Sequence, residues 1–148
     1  MTSVTVRDLT AGDLPAARAL LRQLGYDIDA DDLIARFLAV SQAGAEHALM
    51  VAELDGAVVG LLHIFARPAV EKPTEALVQS LVVDETRRGA GIGKALMARA
   101  EAWARDQGFA SVALHTQVKR TDARAFYRAI GYDEVTEAVL MRKKLEDQ

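Results

Sequence analysis

Leu81-Val82-Val83-Asp84-Glu85-Thr86-Arg87-Arg88-Gly89-Ala90-Gly91-Ile92-Gly93-Lys94-Ala95-Leu96 is the stretch on which the fold turns. Its apolar start closes a run from Glu75 to Val83 that is apolar nearly throughout its second half, the pattern of a central strand. Its end opens a helical periodicity, with Ile92, Leu96, Ala100 and Trp103 near one face and Gly108 as the stop. Between strand and helix stand Gly89, Gly91 and Gly93. Glycine lacks a Cβ, so backbone N–H groups there can approach a ligand closely. The free N–H groups of a helix start, together with the helix dipole, favour a phosphate. Arg88 and Lys94 add positive charge. The stretch therefore reads as a pyrophosphate cradle, with a glycine-rich turn that merely closes the connection as the alternative. A Walker A loop scores poorly, because Gly93-Lys94 is followed by Ala95 and position 88 is not glycine. A dinucleotide fingerprint scores poorly too: Gly89-x-Gly91-x-Gly93 has the wrong spacing and lies beyond the middle of the chain.

Working outward, Val4 and Val6 alternate with Thr5 and Arg7 as a short strand. Thr10 followed three residues later by Asp13 marks a helix start. Leu14, Ala17, Leu20, Leu21 and Leu24 then recur at helical spacing up to Gly25. Asp29 caps a second helix carrying Leu33, Phe37 and Val40. Ala48 to Leu54 and Val58 to Ala66 are strands joined by Asp55-Gly56, a strong hairpin signal. Arg67 to Pro73 is a polar connection. Downstream, Ser111 to Gln117 reads as a strand, Asp122 to Ile130 as a helix ended by Gly131, and Val135 to Met141 as a last strand. The order β-α-α-β-β-β-α-β-α-β predicts an α/β chain of the α+β kind, a mixed sheet with helices on its faces.

With 148 residues and no repeat or linker, the chain is expected to be a single domain, 1–148. There is no cysteine, which removes disulfides, thiolate metal sites and a cysteine nucleophile. No Cys/His cluster or spaced carboxylate motif asks for a metal. Apolar runs fall far short of the ~20 residues of a membrane span, and the first residues lack the blocks of a signal peptide, so a cytoplasmic protein without membrane partners is expected. A net charge of −3 argues against nucleic acid as partner. Two basic stretches, Arg87-Arg88 with Lys94 and Lys119-Arg120 with Arg124 and Arg128, point instead to a small polyanion.

Two motifs now combine. Arg88-x-x-Gly91-x-Gly93, preceded by Leu81-Val82-Val83 and followed by Ala95-Leu96, resembles the acetyl-CoA-binding motif of the GNAT family of N-acetyltransferases. Ala123-x-x-Phe126-Tyr127-x-x-x-Gly131-Tyr132 resembles that family's second signature. The likeness runs from Val4 to about Leu145. Within the family, residues 116–127 are most similar to the aminoalkylphosphonate and related small-amine acetyltransferases.

The resemblance implies a GNAT-like mixed sheet of six to seven strands with about four helices, and transfer of acetyl from acetyl-CoA, as co-substrate, to the primary amine of a small molecule by direct attack. It implies cofactor binding by the backbone around Leu81, Val82 and Val83, by the amides of Arg88, Gly89, Ala90, Gly91, Ile92, Gly93 and Lys94, and by Arg120, Phe126 and Tyr127. A backbone N–H near Val82 would polarise the thioester carbonyl. Tyr127 holds the family position of the acid that protonates the departing thiolate; the alternative is a packed aromatic beside Phe126. The base is open, because Gln79 or Ser80 stands where many relatives carry glutamate. Glu75, His63 and Glu71 are the candidates, and His63 has the best intrinsic pKa, ≈ 6.5; His115 is similar, and either histidine can instead simply fill the sheet. Arg120 replaces a frequent asparagine and could meet a cofactor phosphate, an anionic substrate or only solvent.

The acceptor pocket is expected from the first two helices, the Arg67 to Pro73 connection and the strand near Val135 to Met141. Tyr26, Asp27, Asp29 and Asp31 could recognise a cationic amine, or act as cap and surface charge. A protein N-terminus or lysine is the second acceptor class, and a coenzyme A-binding module without turnover is the third reading. Exposed sheet edges would support a homodimer.

Overall fold

The computed structural model describes residues 3–146, which divide into two compact units, 3–115 and 116–146. The first unit holds a five-stranded sheet in the order β1 (Thr5–Asp8), β2 (His47–Leu54), β3 (Ala57–Arg67), β4 (Glu75–Val83) and β5 (Val112–Leu114). The first four strands are antiparallel and β5 joins β4 in parallel. A parallel neighbour requires a crossover, and α3 (Ile92–Asp106) supplies it. Asp55 and Gly56 both take positive φ, 55° and 77°, as a tight hairpin of the primed type requires.

Helix α1 (Leu14–Gln23) starts where expected. The amide of Thr10 donates to Asp13 Oδ2 at 2.8 Å. The buried Asp13 carboxylate also accepts both Arg7 terminal nitrogens, at 2.7 and 2.9 Å, while Arg7 reaches Glu53 at 2.7 Å. These charge-assisted bonds tie β1, β2 and the helix start together. Asp29 caps α2 (Ala30–Gln42) by accepting from the Asp31 amide at 2.8 Å. Ala17 and Leu20 of α1 pack on Val51, Leu61 and Val82. Side chains alternate across a strand, so α3 meets the opposite face, around Ala52 and Gly60. A Cβ on Gly60 would stand 2.8 Å from Leu96 Cδ1 and 3.0 Å from Ile92 Cγ2, so the close seat of α3 depends on that glycine.

The second unit contains α4 (Thr121–Ala129) and the chain after it. The amide of Tyr132 donates to the Tyr127 carbonyl at 2.9 Å and that of Gly131 to the Arg128 carbonyl at 3.1 Å. Gly131, with φ +102°, turns the chain off the helix.

The α/β class, the mixed sheet and the four helices are as the sequence suggests. The strand count is not: the described residues form five strands, not six or seven. The expected strand Ser111 to Gln117 shrinks to Val112–Leu114. The expected strand Val135 to Met141 forms no regular element among the described residues, and Val135, Val139, Leu140 and Met141 are 78–90% exposed. An apolar run is a strand signal, but a strand exists only where a neighbour takes its backbone hydrogen bonds.

Candidate active site

The sheet opens at β4. Its pairing with β5 covers only Ala76, Leu77 and Val78, with one further bond from the Ala76 amide to the Ser111 carbonyl at 3.1 Å. From Gln79 to Val83, β4 has a strand neighbour on the β3 side alone. At the same point the β3 register slips: His63 faces Ser80 and Ile64 faces Val78, so Gln79 is the extra residue of a bulge. The outward backbone groups of this half, those of Leu81 and Val83, are left for another extended chain, whereas Val82 faces Leu61 in the β3 ladder.

Beyond β4, Asp84 accepts from the Thr86 amide at 3.0 Å, and the Glu85 amide donates to Gln23 Oε1 at 2.9 Å, which fixes the end of α1 to the start of the loop. Gly89 and Gly91 take φ +88° and +78°, and Gly91 is the N-cap of α3. The first helical bond runs from the Ala95 amide to the Gly91 carbonyl at 3.0 Å. Among the described residues no acceptor meets the amides of residues 88–94. A Cβ at Gly89 or Gly91 would meet nothing within 4 Å, so no protein atom crowds the side-chain position of these two glycines. Such a run of free donors at a helix N-terminus is an anion site, and a pyrophosphate fits it. Arg88 and Lys94 form no ion pair among the described residues, whereas Arg87 stands 3.9 Å from Asp55. In the first basic stretch, then, Arg88 and Lys94 are the charges left for a ligand.

The second stretch is largely self-neutralised. Arg124 makes a bidentate pair with Glu134 at 2.8 and 2.9 Å, and Arg128 reaches the same carboxylate at 2.6 Å. The two guanidinium groups hold the Glu134 carboxyl down at about 2. Lys119 and Arg120 keep no ion pair among the described residues, so this patch offers two free cations rather than four. Tyr127 lies on α4 between Phe126 and Tyr132, with ring centroids 5.2 and 6.1 Å away and both contacts edge-on. Burial raises its phenol above the usual 10, against a lowering pull from Arg120.

Among the candidate bases, His63 lines a cavity with Ser80 beside the β4 bulge. His63 Nε2 lies 2.9 Å from His47 Nδ1, and the two rings gather with Phe65. Burial, with His47 adding to it, lowers His63 to about 4. That overturns the attraction of its intrinsic value: the ring is neutral at pH 7, but a group with that pKa takes a proton from an ammonium poorly. Glu75 is at the other end of β4, five residues from Ser80 and so ~17 Å along the strand. Lys72 engages it at 3.3 Å and Ser111 Oγ at 3.1 Å. The structure therefore does not bring Glu75 together with His63 and Ser80. The acidic turn is likewise occupied: Asp29 is the cap, and Asp27 stands 3.5 Å from Arg22. Within the first unit the cavity is walled by α1, α2 and β2–β4, with Leu9 and Ile28, and the connection 67–73 does not line it. Gly60, Arg36 and the bulge at Gln79 escaped the sequence reading. A glycine inside an apolar strand was the one available signal, for Gly60.

Known proteins share this architecture. The profile of the acetyltransferase (GNAT) family matches residues 14–132. An aminoglycoside N(6')-acetyltransferase type 1 of Stenotrophomonas maltophilia is 36% identical over 147 residues, covering 96% of this chain and 94% of its own. The fold superposes on an aminoglycoside N-acetyltransferase solved in complex with CoA, with TM-score 0.87, 21% identity, and coverage of 98% and 97% of the two chains. A structure of that enzyme with a CoA bisubstrate analogue gives TM-score 0.86 at 22% identity, covering 97% of this chain and 99% of that one. The chain belongs to the GNAT family and is an acetyl-CoA-dependent N-acetyltransferase.

Proposed function

We propose that this enzyme, working as one domain, moves acetyl from acetyl-CoA to the primary amine of a small molecule by direct attack. The observation that carries the reading is the run of unpaired amides at 88–94 beside the half of β4 that lacks a neighbour. Acetyl-CoA supplies an activated acyl group. The chain supplies the rest. The amides of residues 88–94, with Arg88 and Lys94, hold the pyrophosphate. The free backbone around Leu81 and Val83 takes an extended amide chain as an added strand would. The Val82 N–H, expected for this role from the sequence, turns into the β3 ladder, as the Asp84 amide does in its bond to the Val59 carbonyl. An outward N–H of Leu81 or Val83 therefore faces the charge developing on the carbonyl oxygen. Tyr127 is the proton donor to the departing thiolate, and Arg120 and Phe126 contribute to cofactor binding. With His63 weakly basic and Glu75 distant, the amine loses its proton to water, and catalysis leans on positioning.

The acceptor is a small amine rather than a protein N-terminus or lysine, a reading supported by the likeness to acetyltransferases named for aminoglycosides. An aminoglycoside, by likeness to the relatives, and an aminoalkylphosphonate, by residues 116–127, belong in the acceptor screen. We further propose a homodimer: apolar side chains as exposed as Val135, Val139 and Met141 mark an interaction surface.

Calorimetric titration with acetyl-CoA, beside the Gly91→Glu variant, tests the cofactor site. Micromolar binding to the wild type and none to a variant with unchanged circular dichroism is the expected result. No binding to the wild type would remove the function proposed here.

A further inference from the structure

The relatives named for aminoglycosides act on polycations, and a polycation requires carboxylates to replace the water it loses. The cavity beside the β4 bulge has none. Its walls are apolar, from residues such as Leu21, Phe37 and Leu61, and its polar groups are Ser80, His63 and Arg36. The adjoining groove between α1 and α2, which shares Leu14, Leu33 and Phe37 with it, has Arg18 as its one charge, and Arg18 Nε already donates to the Ile28 carbonyl at 2.6 Å. Arg36 has no ion pair among the described residues, not even with Asp32 one turn before it. The sole unengaged charge at the cavity is thus positive. Ser80 joins the cavity to the cofactor side: its side chain lines the cavity, and its backbone is on the half of β4 that has no β5 neighbour. The cavity, about 180 Å³, opens beside the apolar groove between α1 and α2, so an amino-acid-sized molecule fits with its apolar body along these walls.

We propose that the acceptor is a compact primary amine with an apolar body and a carboxylate, an apolar α-amino acid or a close derivative, whose carboxylate pairs with Arg36 and whose apolar body fills the cavity between α1, α2 and β3. This rests on the acetyltransferase reading above and narrows its substrate class. Arg36 is a specificity residue, distant from the bond that forms. The transfer itself is that of the proposed function: the amine nitrogen bonds to the acetyl carbon, the carbon–sulfur bond breaks, and the amine's proton and the thiolate's are exchanged through water and Tyr127.

The test is thiol release from acetyl-CoA with four acceptors: leucine, leucinamide, an aminoglycoside and an aliphatic diamine. Leucine should be turned over, with kcat/KM at least tenfold above the aminoglycoside. In Arg36→Ala, an exposed position that leaves the fold intact, kcat/KM for leucine should fall about fivefold, mostly through KM, while leucinamide is unaffected. In Arg36→Glu the diamine should gain over leucine. Turnover of the aminoglycoside or the diamine but not of leucine would overturn the inference while leaving the acetyltransferase intact. Equal losses for leucine and leucinamide in Arg36→Ala would also overturn it. Acetyl-CoA binding in calorimetry without turnover of any acceptor would sink both this inference and the catalytic reading, and absence of binding would sink the cofactor site as well.

Discussion

Tyr127 and His63 carry opposite consequences of burial. A phenol raised above 10 stays protonated through the physiological range, so Tyr127 gives up its proton to solvent only in strong alkali. Tyr127→Phe should lower kcat by about a hundredfold with KM for acetyl-CoA nearly unchanged, read by steady-state kinetics; a purely structural tyrosine would instead lower the melting temperature and spare kcat. His63 is held neutral in the folded chain down to about pH 4. The unfolded chain takes up that proton near pH 6.5. Between these values the unfolded state binds more protons, so stability falls as pH drops from 6.5 towards 4. Thermal melts at pH 7.5 and pH 5 should show this acid loss, and His63→Leu should narrow the gap. The identity of His63 was plain in the sequence, and its ring marked it as a base. Its unsuitability was not, because desolvation and the nearby His47 are products of pairing β2 with β3, at sequence separations no local pattern records.

Helix α3 and strand β3 show the same limit one scale up. The helix was legible from its apolar periodicity and from Gly91 and Gly108 at its ends. Its depth was not, since that is set by Gly60 on another element. Gly60→Ala should destabilise the fold by about 1–3 kcal/mol, seen as a lower midpoint in urea unfolding with an unchanged slope. Acetyl-CoA affinity should weaken with it, because lifting α3 from the sheet displaces the loop amides at its N-terminus. The glycine loop itself could be read at once: its chemistry is backbone chemistry, carried by residue type and local spacing. By contrast, the half-open state of β4 depends on β5 being three residues long, and the apolar run Ser111 to Gln117 promised more.

For the whole molecule, the apolar C-terminal stretch without a paired strand is the feature with the largest consequence. If it is covered by a second copy, sedimentation velocity should give a dimer at micromolar concentration, and Val139→Asp with Met141→Asp should give a monomer that still binds acetyl-CoA. A wild-type monomer would refute the dimer. The sequence by itself determined the α/β class, the order of elements as far as α4, the hairpin at Asp55-Gly56, the glycine turn that starts α3 and the family, because each rests on periodicity or on backbone geometry that neighbouring residues impose. Only the tertiary structure decided how many strands pair, that Glu134 absorbs Arg124 and Arg128, that Glu75 stands away from the open half of β4, and that Arg36 rather than an aspartate is the free charge at the cavity. Those are matters of which groups meet across long separations, where partners and the exclusion of water set the strength of every charge.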